Sequence, residues 1–201
     1  GVTGVVRRGA SSSHETMRSI RAIEAATGRR ICHTLSLASR SSRTRVQKGR
    51  DPLLAKTRSV ALVGTEAHLV DVEIRVSSGV PGFRVVGLPA ASVREAEQRT
   101  RSAIESSEER WPLSKIVANL APGELRKEGT HFDLAIALGV LAAHSKLSGA
   151  RLEGWLPIGE LALDGTVRPV RGVLPAAITC RQQGMRGLIC PAANAREASA
   201  I

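Results

Sequence analysis

Between Val70 and Val76 the chain alternates strictly, with Val70, Val72, Ile74 and Val76 apolar and Asp71, Glu73 and Arg75 charged. A period of two marks a strand with one buried face. Upstream, residues 59–64 form a short apolar run stopped by Gly64, which predicts another strand. Ser77-Ser78-Gly79 and Pro81-Gly82 supply a turn into a third strand, Phe83-Arg84-Val85-Val86, closed by Gly87-Leu88-Pro89. The period then becomes helical: Val93, Ala96, Thr100, Ala103, Ile104 and Ser107 share one face of a helix over residues 92–107. Glu95, Arg99, Arg101 and Glu105 are expected to face out as i,i+4 pairs, with Ser92 as N-cap and Glu95 completing a capping box.

The second half repeats these signals. Residues 115–120 read as a fourth strand and residues 133–144 as a second helix. Two apolar runs, 155–163 and 166–170, flank Asp164-Gly165, a strong hairpin signal. A third helix over residues 174–183 stops at Gly184, a last strand follows at 187–190, and Pro191 opens another helix. The order βββ-α-β-α-ββ-α-β-α predicts one α/β domain with a mixed sheet.

Composition narrows the function classes. Of 201 residues 42% are hydrophobic but only 2% aromatic, so the core must be aliphatic and a base-stacking platform is disfavoured. No apolar run approaches the length of a membrane span, which makes a cytoplasmic protein the default expectation. The net charge of +11 is uneven: residues 1–52 hold 11 basic against 3 acidic side chains, whereas residues 53–201 hold 18 against 15. The front, rich in Arg, Ser and Thr, reads as a solvated, disordered extension outside the folded domain of 53–201. Cys32, Cys180 and Cys190 are too far apart for a metal knuckle and read as incidental thiols.

Chemistry concentrates in one place. Residues 126–138 run from a charged, glycine-bearing loop straight into an apolar helix. No Gly-Lys dipeptide exists, so there is no P-loop in the chain. The histidines are scattered without metal-ligand spacing. His131 with Asp133 could form an acid/base pair, but a carboxylate at a helix start is expected first of all to hydrogen-bond the helix amides.

Several long segments carry a resemblance. They are residues 57–64, Gly82-Phe83-Arg84-Val85-Val86-Gly87-Leu88-Pro89, Asn119-Leu120-Ala121-Pro122, Lys127-Glu128-Gly129 with Phe132-Asp133-Leu134, residues 159–165 and residues 168–175. From about Leu54 onwards the chain resembles the N-terminal domain of the YifB/ComM family of magnesium-chelatase-like AAA+ ATPases. The resemblance implies a Lon-protease-like domain of the ribosomal-protein-S-five second-domain type, ahead of an AAA+ module that would bring ATP and Mg. It implies no cofactor within residues 53–201.

The Lon comparison bears on catalysis. Lon proteases carry Ser in Lys-Asp-Gly-Pro-Ser-Ala-Gly, and His131 takes the serine's place in the matching run here. Leu174 stands where the resemblance would put the catalytic lysine. A Ser–Lys dyad needs a hydroxyl beside an amine of depressed pKa, and Thr130, next to the serine position, would lack that base. The resemblance therefore implies a non-catalytic accessory domain of a homo-hexameric motor that processes DNA by branch migration. Its partners would be its own AAA+ module and the neighbouring subunits. Its candidate DNA or partner contacts are Lys127, His131, Arg168 and Arg171, expected on a solvated, loop-rich basic edge. A Lon-type serine peptidase and a chelatase-related subunit are the alternatives.

Overall fold

The computed structural model describes residues 53–144 and 152–201. The expectations for residues 1–52, and for Cys32 within them, lie outside these. An α+β fold with a mixed sheet is observed, as the pattern of periods predicts. Strands β1 (Leu53–Val63), β2 (Glu66–Ser77), β3 (Gly82–Val86) and β4 (Lys115–Ala121) form a four-stranded sheet ordered β1-β2-β4-β3. The first three strands in that order pair antiparallel, and β3 joins β4 in parallel. Helices α1 (Ala91–Arg94) and α2 (Ala96–Ser106) connect β3 to β4, and α3 (Asp133–His144) follows β4. Then come β5 (Trp155–Pro157), β6 (Glu160–Leu161), β7 (Val167–Arg168), α4 (Val173–Gln182), β8 (Gly187–Ile189), a 3-10 turn (Ala192–Asn194) and α5 (Ala195–Ala198).

The pleat of β2 sorts the core. Val70, Val72, Ile74 and Val76 are buried against α3, in a cluster with Ile116, Leu120, Ile136 and Leu138. Alternate residues of a strand face opposite sides. At the hairpin end the other side is also covered, because Val60, Leu62, Ala67 and Leu69 pack a second cluster with Val173, Ala176 and Leu188. The far half of that side carries charged residues and is open to solvent. Gly139 brings α3 close to the sheet: a Cβ there would lie 2.5 Å from Ile74 Cγ1.

Three expectations change at the level of elements. β1 begins at Leu53, well before the predicted 59, and the pattern does not mark its start because the inward residues there are Ala55, Thr57 and Ser59 rather than large apolar ones. Thr57 and Ser59 are satisfied inside by the carbonyls of Ala135 (3.1 Å) and Pro157 (3.2 Å). The single helix over 92–107 is two, broken at Glu95. The strand over 155–163 is divided between sheets: β5 pairs in parallel with β8, while β6 forms the hairpin with β7 around Asp164-Gly165. Asp164 Oδ1 accepts the Thr166 N–H (2.9 Å) and hydroxyl (2.8 Å), and Gly165 has φ 86°.

Candidate functional site

The loop from Pro122 to Phe132 and the first turn of α3 form a clamped junction. Its backbone is held first. Lys127 N–H donates to Leu88 O (3.3 Å) and Lys127 O accepts from Ala90 N–H (2.9 Å), so the loop pairs with the exit of β3. Gly129 N–H donates to Ser92 Oγ (3.1 Å). Ser92 is thus not the cap of its own helix: the N-cap is Ala90, without a side-chain bond, and Glu95 is exposed at the helix break.

The bend between β5 and β6 holds the other side. Gly159 N–H donates to His131 O (3.0 Å) and Gly159 O accepts from Leu134 N–H (3.1 Å). A Cβ at Gly159 would lie 2.6 Å from Val167 Cγ1 on β7 and 3.4 Å from Leu134 Cδ2 on α3, so a larger residue would crowd both neighbours of the bend. Here the sequence Gly159-Glu160-Leu161 becomes a bracket. Thr130 Oγ1 donates to Glu160 Oε2. Leu161 N–H donates to Asp133 Oδ2 (3.3 Å).

Asp133 does not cap its own helix. Its side chain is 1% exposed and receives the Arg99 guanidinium in a fork, Nε to Oδ2 at 2.6 Å and Nη2 to Oδ1 at 3.0 Å. Arg99 departs from the outward position that helical spacing predicts. It turns in, donates also to Ser92 O (2.7 Å), and keeps Glu95 only at 3.9 Å. A buried carboxylate needs a counter-charge more than an exposed i,i+4 partner does. Burial pushes the Asp133 carboxyl above its ordinary range, against the opposing pull of Arg99.

Two of the four candidate contact residues are not on a solvated edge. Lys127 is fully buried, and its Nζ donates to Pro122 O, strapping the loop across its own base. Desolvation lowers its pKa, while Glu124 acts the other way. His131 is 5% exposed, and its Nε2 lies 2.8 Å from Val60 O on β1. A carbonyl only accepts, so Nε2 carries the proton. Burial lowers the His131 pKa, leaving the ring neutral against Phe132, with centroids 4.4 Å apart. Both side chains are inside because the loop folds onto β1 and β3. Arg168 and Arg171 are exposed, and Arg168 reaches toward Glu160 at 3.6 Å.

A hydroxyl and an amine near the dyad positions are each engaged, with different partners. Thr130, adjacent in sequence to the nucleophile position, is bound to a carboxylate, and Lys127, four residues before that position, to a carbonyl. Leu174 is 38% exposed in the first turn of α4, where its N–H donates to Glu197 Oε1 (3.0 Å). Among the described residues no group of three His, Cys, Asp or Glu side chains could hold a metal ion. Sequence reasoning misses Arg99, Glu160 and Ser92 as parts of this junction. Local periodicity assigns them, in order, to an outward face, a strand and a cap.

Lys127 offers a direct check. Lys127→Met keeps the aliphatic stem and removes a desolvated amine, so at pH 7 stability should hold within about 1 kcal/mol of wild type or rise. A lowered folded-state pKa means that the neutral amine is favoured inside. Wild-type stability should therefore gain relative to the variant as pH rises through the lowered folded-state value toward the unfolded lysine value of about 10. Paired urea titrations at pH 7 and 9.5 measure this, and a difference independent of pH would show that the amine is not desolvated.

The sequence model of a family described as subunit ChlI of Mg-chelatase matches residues 72–194. Competence protein ComM of Haemophilus influenzae is 45% identical over 148 residues, 74% of this chain and 29% of that protein. A protein named YifB of Salmonella typhimurium is 41% identical over the same length, with the same shares of the two chains. A Lon protease of Halothermothrix orenii is 25% identical over 146 residues, 69% of this chain and 18% of the protease. The chain thus spans under a third of the length of these relatives.

Proposed function

Since this chain belongs to the family of subunit ChlI of Mg-chelatase, with ComM and YifB among its relatives, we propose that it is a non-catalytic accessory domain of a magnesium-chelatase-like AAA+ ATPase. The whole protein would be a cytoplasmic, hexameric motor that binds ATP and Mg in a separate module. It would use them to drive branch migration of DNA during recombination. Residues 53–201 would serve that ring as a rigid accessory body, with residues 1–52 lying outside it.

The observation that carries the non-catalytic reading is the state of His131. A nucleophile must be exposed and beside a base. The residue at the nucleophile position is instead buried, neutral and bonded to Val60 O. The bracketed, ion-paired helix start supports a structural role in its place. Likeness to a Lon protease gives the peptidase reading its one specific support, and the engagement of Thr130 and Lys127 with separate partners weighs against it.

The test has two arms. The 201-residue chain should leave unfolded casein intact, with Thr130→Ala indistinguishable from wild type. The full-length protein should hydrolyse ATP faster when a four-way DNA junction is added. Casein cleavage lost on Thr130→Ala would replace the accessory role with a peptidase, and ATP hydrolysis indifferent to DNA would remove the DNA-motor assignment.

A further inference from the structure

We propose that the open half of the four-stranded sheet is a docking surface for the phosphate backbone of nucleic acid, with Arg75, Arg84 and Lys115 as its contacts. This rests on the DNA reading above and gives it a surface, which the buried Lys127 and His131 cannot provide.

Strand register defines the surface. On the face turned away from α3, Lys56 pairs across to Glu73 and Asn119, and Arg58 pairs across to Asp71. Beside them Arg75 lies opposite Val117, which lies opposite Arg84 on β3. Lys115 is two residues before Val117 on the same face of β4, opposite Ser77 and Gly82. Five basic side chains thus share this face with two acids.

The acids are already engaged. Glu73 meets Lys56 at 2.6 Å and also accepts from Asn119 (3.1 Å), and Asp71 meets Arg58 at 3.3 Å. Arg75, Arg84 and Lys115 are exposed, and none has an acid within ion-pair distance among the described residues. Three uncompensated cations on one exposed sheet face raise the local potential and attract a polyanion.

Spacing favours nucleic acid over an acidic protein segment. Neighbouring strands lie about 4.8 Å apart and alternate residues of one strand about 7 Å apart, so the three Cα atoms form a triangle with edges of roughly 8–10 Å. Each DNA strand carries one phosphate per ~3.4 Å of helix axis, and such a triangle covers a few of them. Both aromatic side chains near this end, Phe83 and Trp111, stack on each other at 5.8 Å and pack toward the core. No base-stacking group is therefore presented, and contact should be to the backbone without sequence preference.

The experiment measures binding of the 201-residue chain to a labelled four-way DNA junction by fluorescence anisotropy between 50 and 300 mM salt. The triple variant Arg75→Ala, Arg84→Ala, Lys115→Ala should bind about tenfold or more weakly near 100 mM salt. Its log–log salt slope should fall by roughly 2–3, one step per lost phosphate contact. A control with the same change in net charge, Arg101→Ala, Arg181→Ala, Arg186→Ala, should keep the wild-type slope. Both variants retain residues 1–52, so binding by that basic segment cancels in the comparison. Melting curves establish that both are folded. Where the alanine variant is not, Arg75→Gln, Arg84→Gln and Lys115→Gln together keep the side-chain stems, remove the charges, and should lower the slope by the same amount. Equal loss in the test and control variants would overturn this surface while leaving the DNA reading intact. No salt-dependent binding by the wild-type chain would overturn this surface too, and the DNA reading would then stand or fall on the ATP hydrolysis of the full-length protein. Polyglutamate bound as tightly as DNA, and lost with the same triple variant, would overturn nucleic acid in favour of an acidic protein partner.

Discussion

Gly87→Ala should destabilise the domain by at least about 3 kcal/mol, seen as a large fall in the urea midpoint, and should release the exit of β3 from the sheet. Gly87 has φ 96°, a left-handed conformation in which a side chain is strained by about 1–3 kcal/mol. A Cβ there would collide with the backbone of β4 as well, overlapping Leu120 O and lying 2.8 Å from Leu120 C. Backbone inside a paired strand cannot step aside as the end of a flexible side chain can. Relief would have to come from peeling β3 away. That would take with it Leu88 O, which holds the Lys127 N–H, and so loosen the loop before α3 from its seat. Gly64→Ala separates the two contributions. Gly64 has φ 59° with nothing within 4 Å of its added Cβ, so it should show only the conformational cost, about 1 kcal/mol. Equal effects at the two positions would mean that the approach to Leu120 is not tight.

The contrast between these glycines illustrates what sequence can convey. Gly87 is legible as a turn, but its closeness to β4 depends on a parallel pairing that no local pattern announces. The alternating strands β2 and β4 are legible because one-sided burial imposes a period on them, and α3 is legible as a long unbroken apolar run, buried at every position from Asp133 to Val140. The first half of β1 is not, since its inward Ala55, Thr57 and Ser59 have neither bulk nor hydrophobicity to set a period. The split between β5 and β6 is hidden for a related reason: both halves are apolar, and the chain changes sheets at a glycine that reads like any other. At the site, the loop, the helix start and the replacement of serine by His131 are all visible in the sequence. The places of Lys127 and Arg99 are not, because charge alone argues for exposure. Their positions come from partners distant in sequence or folded back across a loop, Asp133 for Arg99 and Pro122 O for Lys127.

Arg99→Met should be the most damaging change at the helix junction, by roughly 3–5 kcal/mol at pH 7, the range for removing one partner of a buried ion pair. It strands the Asp133 carboxylate, 1% exposed, with the Leu161 N–H at 3.3 Å as its one remaining partner among the described residues. Burial already pushes that carboxyl upward with Arg99 in place, and losing the guanidinium would push it further. A carboxyl with a raised folded-state pKa is at no disadvantage while both folded and unfolded forms are protonated. The penalty should therefore be small below the unfolded value of about 4 and grow as pH rises through the folded-state value, above which it levels off. Adding Asp133→Asn removes the stranded charge but keeps an oxygen for Leu161 N–H. Arg99→Met with Asp133→Asn should then recover at least about 2 kcal/mol at pH 7 and lose the pH dependence. Denaturant titrations of the three proteins from pH 4.5 to 8 measure both effects. A penalty that is flat with pH, or one that Asp133→Asn does not relieve, would mean that Arg99 stabilises through packing and its bond to Ser92 O. The junction would then be held by its backbone bracket rather than by charge.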